Sequence, residues 1–174
     1  MQLLLLFAIM FSLSSVSKSL FSRSLSRCIF RPRMPGLSMS SSSDGYQTIR
    51  SHCEYLLEEK KSKFLARVDP ITSIEDGLEY VKISRDLDPK ASHHCWALNY
   101  NGQSRFSDDG EPTSTAGKPI SAAIEGEGLR NVVVVVARYF GGTKLGTGGL
   151  VRCYGSSARE ALRLGERLTV TSHE

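Results

Sequence analysis

Residues 131–163 read NVVVVVARYFGGTKLGTGGLVRCYGSSAREALR, and the rest of the chain is organised around this stretch. The run Val132–Val136 is β-branched, short and without polar alternation, so it predicts a strand covered on both faces. Gly141, Gly142, Gly146, Gly148 and Gly149 follow within nine residues. They predict a loop that turns sharply and lets bare backbone N–H groups approach another surface. From about Leu150 the pattern becomes helical, with Val151, Tyr154, Ala158, Ala161 and Leu162 on one side. A strand, a Gly-rich basic loop and a helix N-terminus, in that order, make an anion-binding arrangement.

The 174 residues suffice for one domain with extensions. The formal net charge of +4 is unevenly spread: residues 1–43 hold Lys18, Arg23, Arg27, Arg31 and Arg33 and no acid, leaving 17 basic and 18 acidic residues beyond them. A near-neutral globular part excludes nucleic-acid binding driven by bulk charge and leaves that role to a local patch. Leu3–Phe11 is an apolar run too short for a bilayer, which needs about 20 residues. Small residues and an acid-free Ser/Arg-rich stretch follow, so 1–43 is expected to be a targeting leader that is removed on maturation. A plastid or mitochondrial destination fits that composition; a start at Met34 or Met39 would give a cytoplasmic protein instead. The expected domain spans 44–165, with 166–174 as a tail, and no membrane association once the leader is gone. Cys28, Cys53, Cys95 and Cys153 show no CxxC spacing, which argues against a zinc cluster or disulfide framework and predicts free thiols.

Within the domain, Tyr46–Leu57 reads as a strand or short hairpin ending at the charged turn Glu58–Lys61, and Phe64–Val68 as a further strand. Ser73 is a candidate N-cap, with Glu75 and Asp76 at the positive end of a helix that buries Ile74, Leu78 and Val81 and ends before Pro89. His94–Tyr100 reads as a strand, and Asn101-Gly102 as a hairpin turn into Ser104–Ser107. Pro119 is expected at the first helical position of a short helix that runs to about Glu125 and is stopped by Gly126 and Gly128. These elements predict an α+β fold, a mixed sheet with helices on one face.

Five ordered blocks carry a family resemblance: SKFLA at 62–66, HHCWA at 93–97, RFSDDGEP at 105–112, TAGKP at 115–119 and RYFGGTKLGTGGLVR at 138–152. Together they resemble the IMPACT/YigZ family of small translation-associated proteins over roughly residues 46–164. Two positions depart from its pattern, which more often has Gly where Ser114 stands and Asn where His94 stands. The resemblance implies a fold like the second domain of ribosomal protein S5 and a role in translational control. It further implies that this chain is the family's shared core. The ferredoxin-like domain of bacterial members and the kinase-machinery-contacting domain of vertebrate and yeast members are not expected in it.

The candidate anion- or RNA-binding set is Arg138, Tyr139, Gly141, Gly142, Lys144, Gly146, Gly148, Gly149 and Arg152. Arg152, Arg159 and Arg163 recur at helical spacing, and a solvated face is the expected role for the last two, with Arg163 paired to Glu160 or Glu166. Tyr139 could stack on an unpaired base, although an aromatic at a strand end more often closes a core. Secondary candidates are His93, Arg105, Asp108, Asp109, Glu111 and Lys118. The three carboxylates could hold Mg²⁺ or cap a turn, and Asp109 or Glu111 could instead pair with Lys144 and Arg152; turn chemistry is the expectation, and no metal site is assigned. Cys95 beside His93 and His94 invites a Cys/His nucleophile, but neighbours on a strand point apart, so a buried thiol is expected.

Neither a P-loop nor a full dinucleotide fingerprint is present, because Lys144 precedes Leu145, Lys118 precedes Pro119, and Gly146-x-Gly148 runs on to Val151. No cofactor is expected. With the role in translation that the resemblance implies, the favoured reading is a non-enzymatic module that binds RNA or ribosome phosphate through the Gly-rich loop. The alternatives are an enzyme acting on a phosphorylated small molecule in that loop, and a protein-binding module in starvation-kinase translation control.

Overall fold

Ten elements are formed by residues 45–171, the range that the computed structural model describes. The leader expected over 1–43 and the final residues 172–174 lie outside it. In order the elements are β1 (Gly45–Ile49), β2 (Cys53–Glu59), β3 (Ser62–Pro70), α1 (Ile74–Leu87), β4 (His93–Tyr100), β5 (Gln103–Ser107), α2 (Gly117–Gly126), β6 (Val132–Tyr139), α3 (Gly146–Leu164) and β7 (Arg167–Thr171).

The valine strand β6 sits at the centre of a five-stranded sheet ordered β2-β3-β6-β4-β5. Every neighbouring pair in it is antiparallel, so the fold is α+β as expected but its sheet is not mixed. The crossover β3–α1–β4 does carry the chain back in the same direction, which predicts a parallel pair. β6 inserts between those two strands and runs against both.

The helices do not share one face. Val132, Val134 and Val136 pack with Phe64, Ala66 and Val68 of β3 and with α2 and α3, while Val133 and Val135 pack against α1 on the other face. A strand with no polar alternation has two apolar faces, and both must be covered. On the α2/α3 side the Tyr154 ring meets Phe64 edge-on at 5.1 Å, a favourable arrangement for two buried aromatics.

Most local signals hold, although α2 starts at Gly117, two residues before the expected Pro119. Ser73 accepts the Asp76 N–H at 3.0 Å and caps α1, and Asn101 and Gly102 take the two positive φ values (48° and 80°) that a tight hairpin turn requires. Pairing at the chain ends differs. Tyr46–Leu57 is no hairpin: β1 pairs antiparallel with β7, and β2 pairs with β3. Residues 167–171, read as tail, supply that partner strand. Gly165 permits the close approach, since a Cβ there would stand 2.9 Å from Ile49 Cγ2 and 3.0 Å from Cys53 Sγ.

Helix α3 begins at Gly146, a full turn before the expected Leu150. Glycine is a poor helix former, so Gly146, Gly148 and Gly149 read as loop in sequence. The buried side also differs from the expected one: Leu150 and Cys153 face inward, whereas Val151 is 40% exposed.

Candidate functional site

Three glycines of the β6–α3 connection are fixed by packing or by backbone conformation. A Cβ on Gly141 would lie 2.0 Å from the Lys61 carbonyl carbon, so the loop is pressed against the β2–β3 turn, where Gly141 N–H donates to Ser62 Oγ at 3.1 Å. Gly142 and Gly146 have φ of 84° and 72°, in the left-handed region that glycine tolerates. Gly148 has neither constraint: its φ is not positive and a Cβ there would meet nothing within 4 Å.

This path delivers α3 with an open first turn. Its N-cap is Leu145, which makes no side-chain cap bond, and no acid lies in the first turn. The first N–H groups of a helix have no intrahelical partner and carry a partial positive charge. They open on a cleft of about 480 Å³ lined by His93, Glu111, Arg138, Phe140, Lys144 and Thr147, among others. Lys144 is exposed and has no ion-pair partner among the described residues.

The floor of the cleft is a buried polar cluster. Arg138 Nη1 donates to Glu111 Oε1 at 2.5 Å, with side-chain exposures of 8% and 4%, and Tyr154 donates its hydroxyl to the same oxygen at 2.8 Å. The guanidinium carbon lies 5.6 Å from the centroids of both the Phe64 and Phe140 rings, within cation–π reach of each. Arg138 Nε is buried and has no partner. On the rim, His93 Nδ1 stands 2.8 Å from the Asp109 carbonyl oxygen. A carbonyl only accepts, so Nδ1 is the donor in this contact.

The acidic loop is turn chemistry. Asp108 accepts N–H groups from Ser114 (2.8 Å), Ala116 (3.0 Å) and Gly117 (2.7 Å) and so closes the first turn of α2. Burial alone would raise its carboxyl, but these three backbone donors outweigh that and hold it below the usual carboxylate range. Ser114 adopts φ 62° to deliver its N–H. Asp109 pairs with Arg85 at 2.5 Å and accepts the His94 N–H at 2.7 Å. Asp108, Asp109 and Glu111 thus turn to three separate sets of partners. None of them pairs with Lys144 or Arg152, as one reading of the sequence allowed.

Not every candidate converges. His93, Glu111, Arg138, Lys144 and Gly146 share the cleft. Tyr139 points to the α1 face and donates its hydroxyl to Asp88 Oδ1 at 2.6 Å, so it is tied down away from the loop. Arg152 lines a second hollow of about 270 Å³, with Lys60, Gly149 and Ser156, on the β2 side of α3. Arg105 and Lys118 are exposed on β5 and α2, outside both cavities. Arg163 pairs with Glu127 at 2.8 Å and Glu160 at 3.2 Å; Glu166, the other expected partner, pairs with Arg50. Cys95 is fully buried, and burial pushes its thiol up to about 12, which leaves it unreactive at neutral pH. His94 faces the α1 side, where burial holds its imidazole below the usual range.

The sequence reading missed Phe140, 51% exposed on the lip of the cleft. Strand periodicity contained the signal: 138 and 140 share parity with Val136, and 139 does not.

The profile of the Impact N-terminal domain matches residues 60–162, from the β2–β3 turn to the end of α3. The chain belongs to the IMPACT family. Among its relatives are an IMPACT family member from Thermus thermophilus, 51% identical over 104 residues, and the Escherichia coli IMPACT family member YigZ, 43% identical over 111 residues. These alignments take in 60% and 61% of this chain but only 56% and 54% of the relatives, so the chain spans about half their length. The crystal structure of a protein described as hypothetical superposes with a TM-score of 0.71 at 37% identity, over 73% of this chain and 64% of that one.

Proposed function

We propose that this domain is a non-enzymatic, translation-associated binding protein that takes RNA, free or within the ribosome, into the cleft at the start of α3. One observation carries the reading: an uncapped first helical turn opens onto a cleft that also holds the unpaired Lys144 and the exposed Phe140. A phosphate at that turn would accept from its N–H groups and meet the lysine. An unpaired base would stack on Phe140, whose other side is backed by the Arg138 guanidinium. The family's translation-associated character supports the choice of RNA, and the expected likeness to ribosomal protein S5 domain 2 belongs to the same proposal.

The competing reading, an enzyme acting on a phosphorylated small molecule, has the cleft's size in its favour. Against it, Glu111 is already held by Arg138 and Tyr154 and is a poor base or metal ligand. Binding to purified ribosomes and to structured RNA across a salt series separates the two. RNA binding should weaken steeply with salt, and Lys144→Glu should weaken it about tenfold while reducing the salt slope by about one. No binding at low salt, or binding indifferent to Lys144→Glu, contradicts the proposal.

A further inference from the structure

The first turn of α3 separates two cavities. Thr147 lines the cleft, and Gly149, Arg152 and Ser156 line the smaller hollow, with Leu145 common to both. At 100° per residue, Gly148 falls between Thr147 and Arg152 on the outward side of the helix. The bridge between the cavities therefore passes over the one glycine in this stretch that neither packing nor backbone conformation requires. An alanine there would favour the helix, so its absence leaves a surface without side chain at a cost in propensity.

The second hollow is built for more than solvent. Its floor is apolar, formed by Leu57, Leu145 and Cys153, and its rim carries Lys60, Arg152 and Ser156 together with one acid, Glu59. Lys60 and Lys61 form the tight β2–β3 turn with φ values of 47° and 67°. Such turns favour Asn-Gly, and two lysines hold the strained conformation here. An apolar floor under a rim with two cations against one carboxylate suits a base and its phosphate. Independently, Arg138 reaches the cleft on the other side with a buried, unpartnered Nε, so polar capacity is left open at that end too.

We infer that the two cavities are one track for a single-stranded oligonucleotide, which crosses the outer face of α3's first turn at Gly148 and sets its next phosphate beside Arg152 and Lys60. This rests on the RNA reading of the cleft and extends it: the preferred ligand is an unpaired strand of at least two nucleotides, not a mononucleotide or a duplex.

The test is a length series, adenosine 5′-monophosphate against oligoadenylates of two, four and six nucleotides, followed by amide shifts or fluorescence anisotropy on the full chain. Affinity should rise at least about tenfold from one to four nucleotides. Arg152→Ala and Lys60→Asn, the latter keeping a residue that tolerates the turn, should remove most of that gain and leave the mononucleotide unchanged. Gly148→Gln should lower tetranucleotide affinity while raising Tm, a combination that simple misfolding would not produce. Equal affinity at all lengths, or a length gain that survives these substitutions, overturns the track while leaving the cleft as a phosphate site. Absence of binding at every length overturns both.

Discussion

Helices α2 and α3 pack on the same sheet face and share one core, yet their first turns are treated in opposite ways. Neither has a capping side chain at its own N-cap or an acid in its first turn. For α2 the deficit is met from eight and nine residues upstream, where the Asp108 carboxylate accepts the Ala116 and Gly117 N–H groups. For α3 the deficit remains and faces a cleft. The same backbone property is thus structural at one helix and available to a ligand at the other. What decides is whether an acid folds back onto the turn.

The largest effect expected from breaking this arrangement is that of Gly141→Ala. Its Cβ would collide with the Lys61 backbone, displacing the segment that aims α3, and a loss of more than about 3 kcal/mol is expected in a urea titration. Unchanged stability would show that the loop can yield without cost.

Next comes Asp108→Ala, which strips the closed helix start and should cost about 2–3 kcal/mol, measured by the same titration. A pH dependence follows. The folded-state value of Asp108 lies below its unfolded value, so its contribution is present above the usual carboxylate pKa of about 3.9 and is lost as pH falls through the lower folded value. The acid limb of the stability profile should therefore be shallower in the variant. It should not vanish, because Asp88 and Glu54 are also lowered: burial raises both, but Arg67 outweighs it.

The smallest and most informative change runs the other way. Gly148→Glu supplies α3 with an acid in its first turn, as α2 in effect has. A gain of about 1 kcal/mol is expected from helix propensity and dipole together, with RNA affinity reduced. A stabilised protein with undiminished RNA binding would mean the open turn is not the contact.

Much of this fold was legible because its signals are local. Ser73, the Asn101-Gly102 turn and the valine run each act over a few residues, and each does what its chemistry predicts. The insertion of β6 between β3 and β4, and the pairing of β1 with β7, depend on contacts far apart in the chain and left no periodic trace. The site divides likewise. Lys144 and Gly146 were readable from a basic, Gly-rich stretch before a helix. Turn chemistry was readable for Asp108 too, but not that the turn it closes is the start of α2, since nothing in the spacing shows that the 108–117 segment curls back on itself. Arg138 looked like a free loop cation and is instead neutralised by Glu111, a partner 27 residues away.

The most direct measurement is amide chemical-shift mapping during titration with a tetraadenylate at low salt. If α3's open turn is the phosphate site, the amide signals of Gly146, Thr147 and Gly148 should move strongly, while those of Ser114, Ala116 and Gly117, already engaged by Asp108, should stay in place. Static α3 amides, or equal movement at both helix starts, would contradict the account.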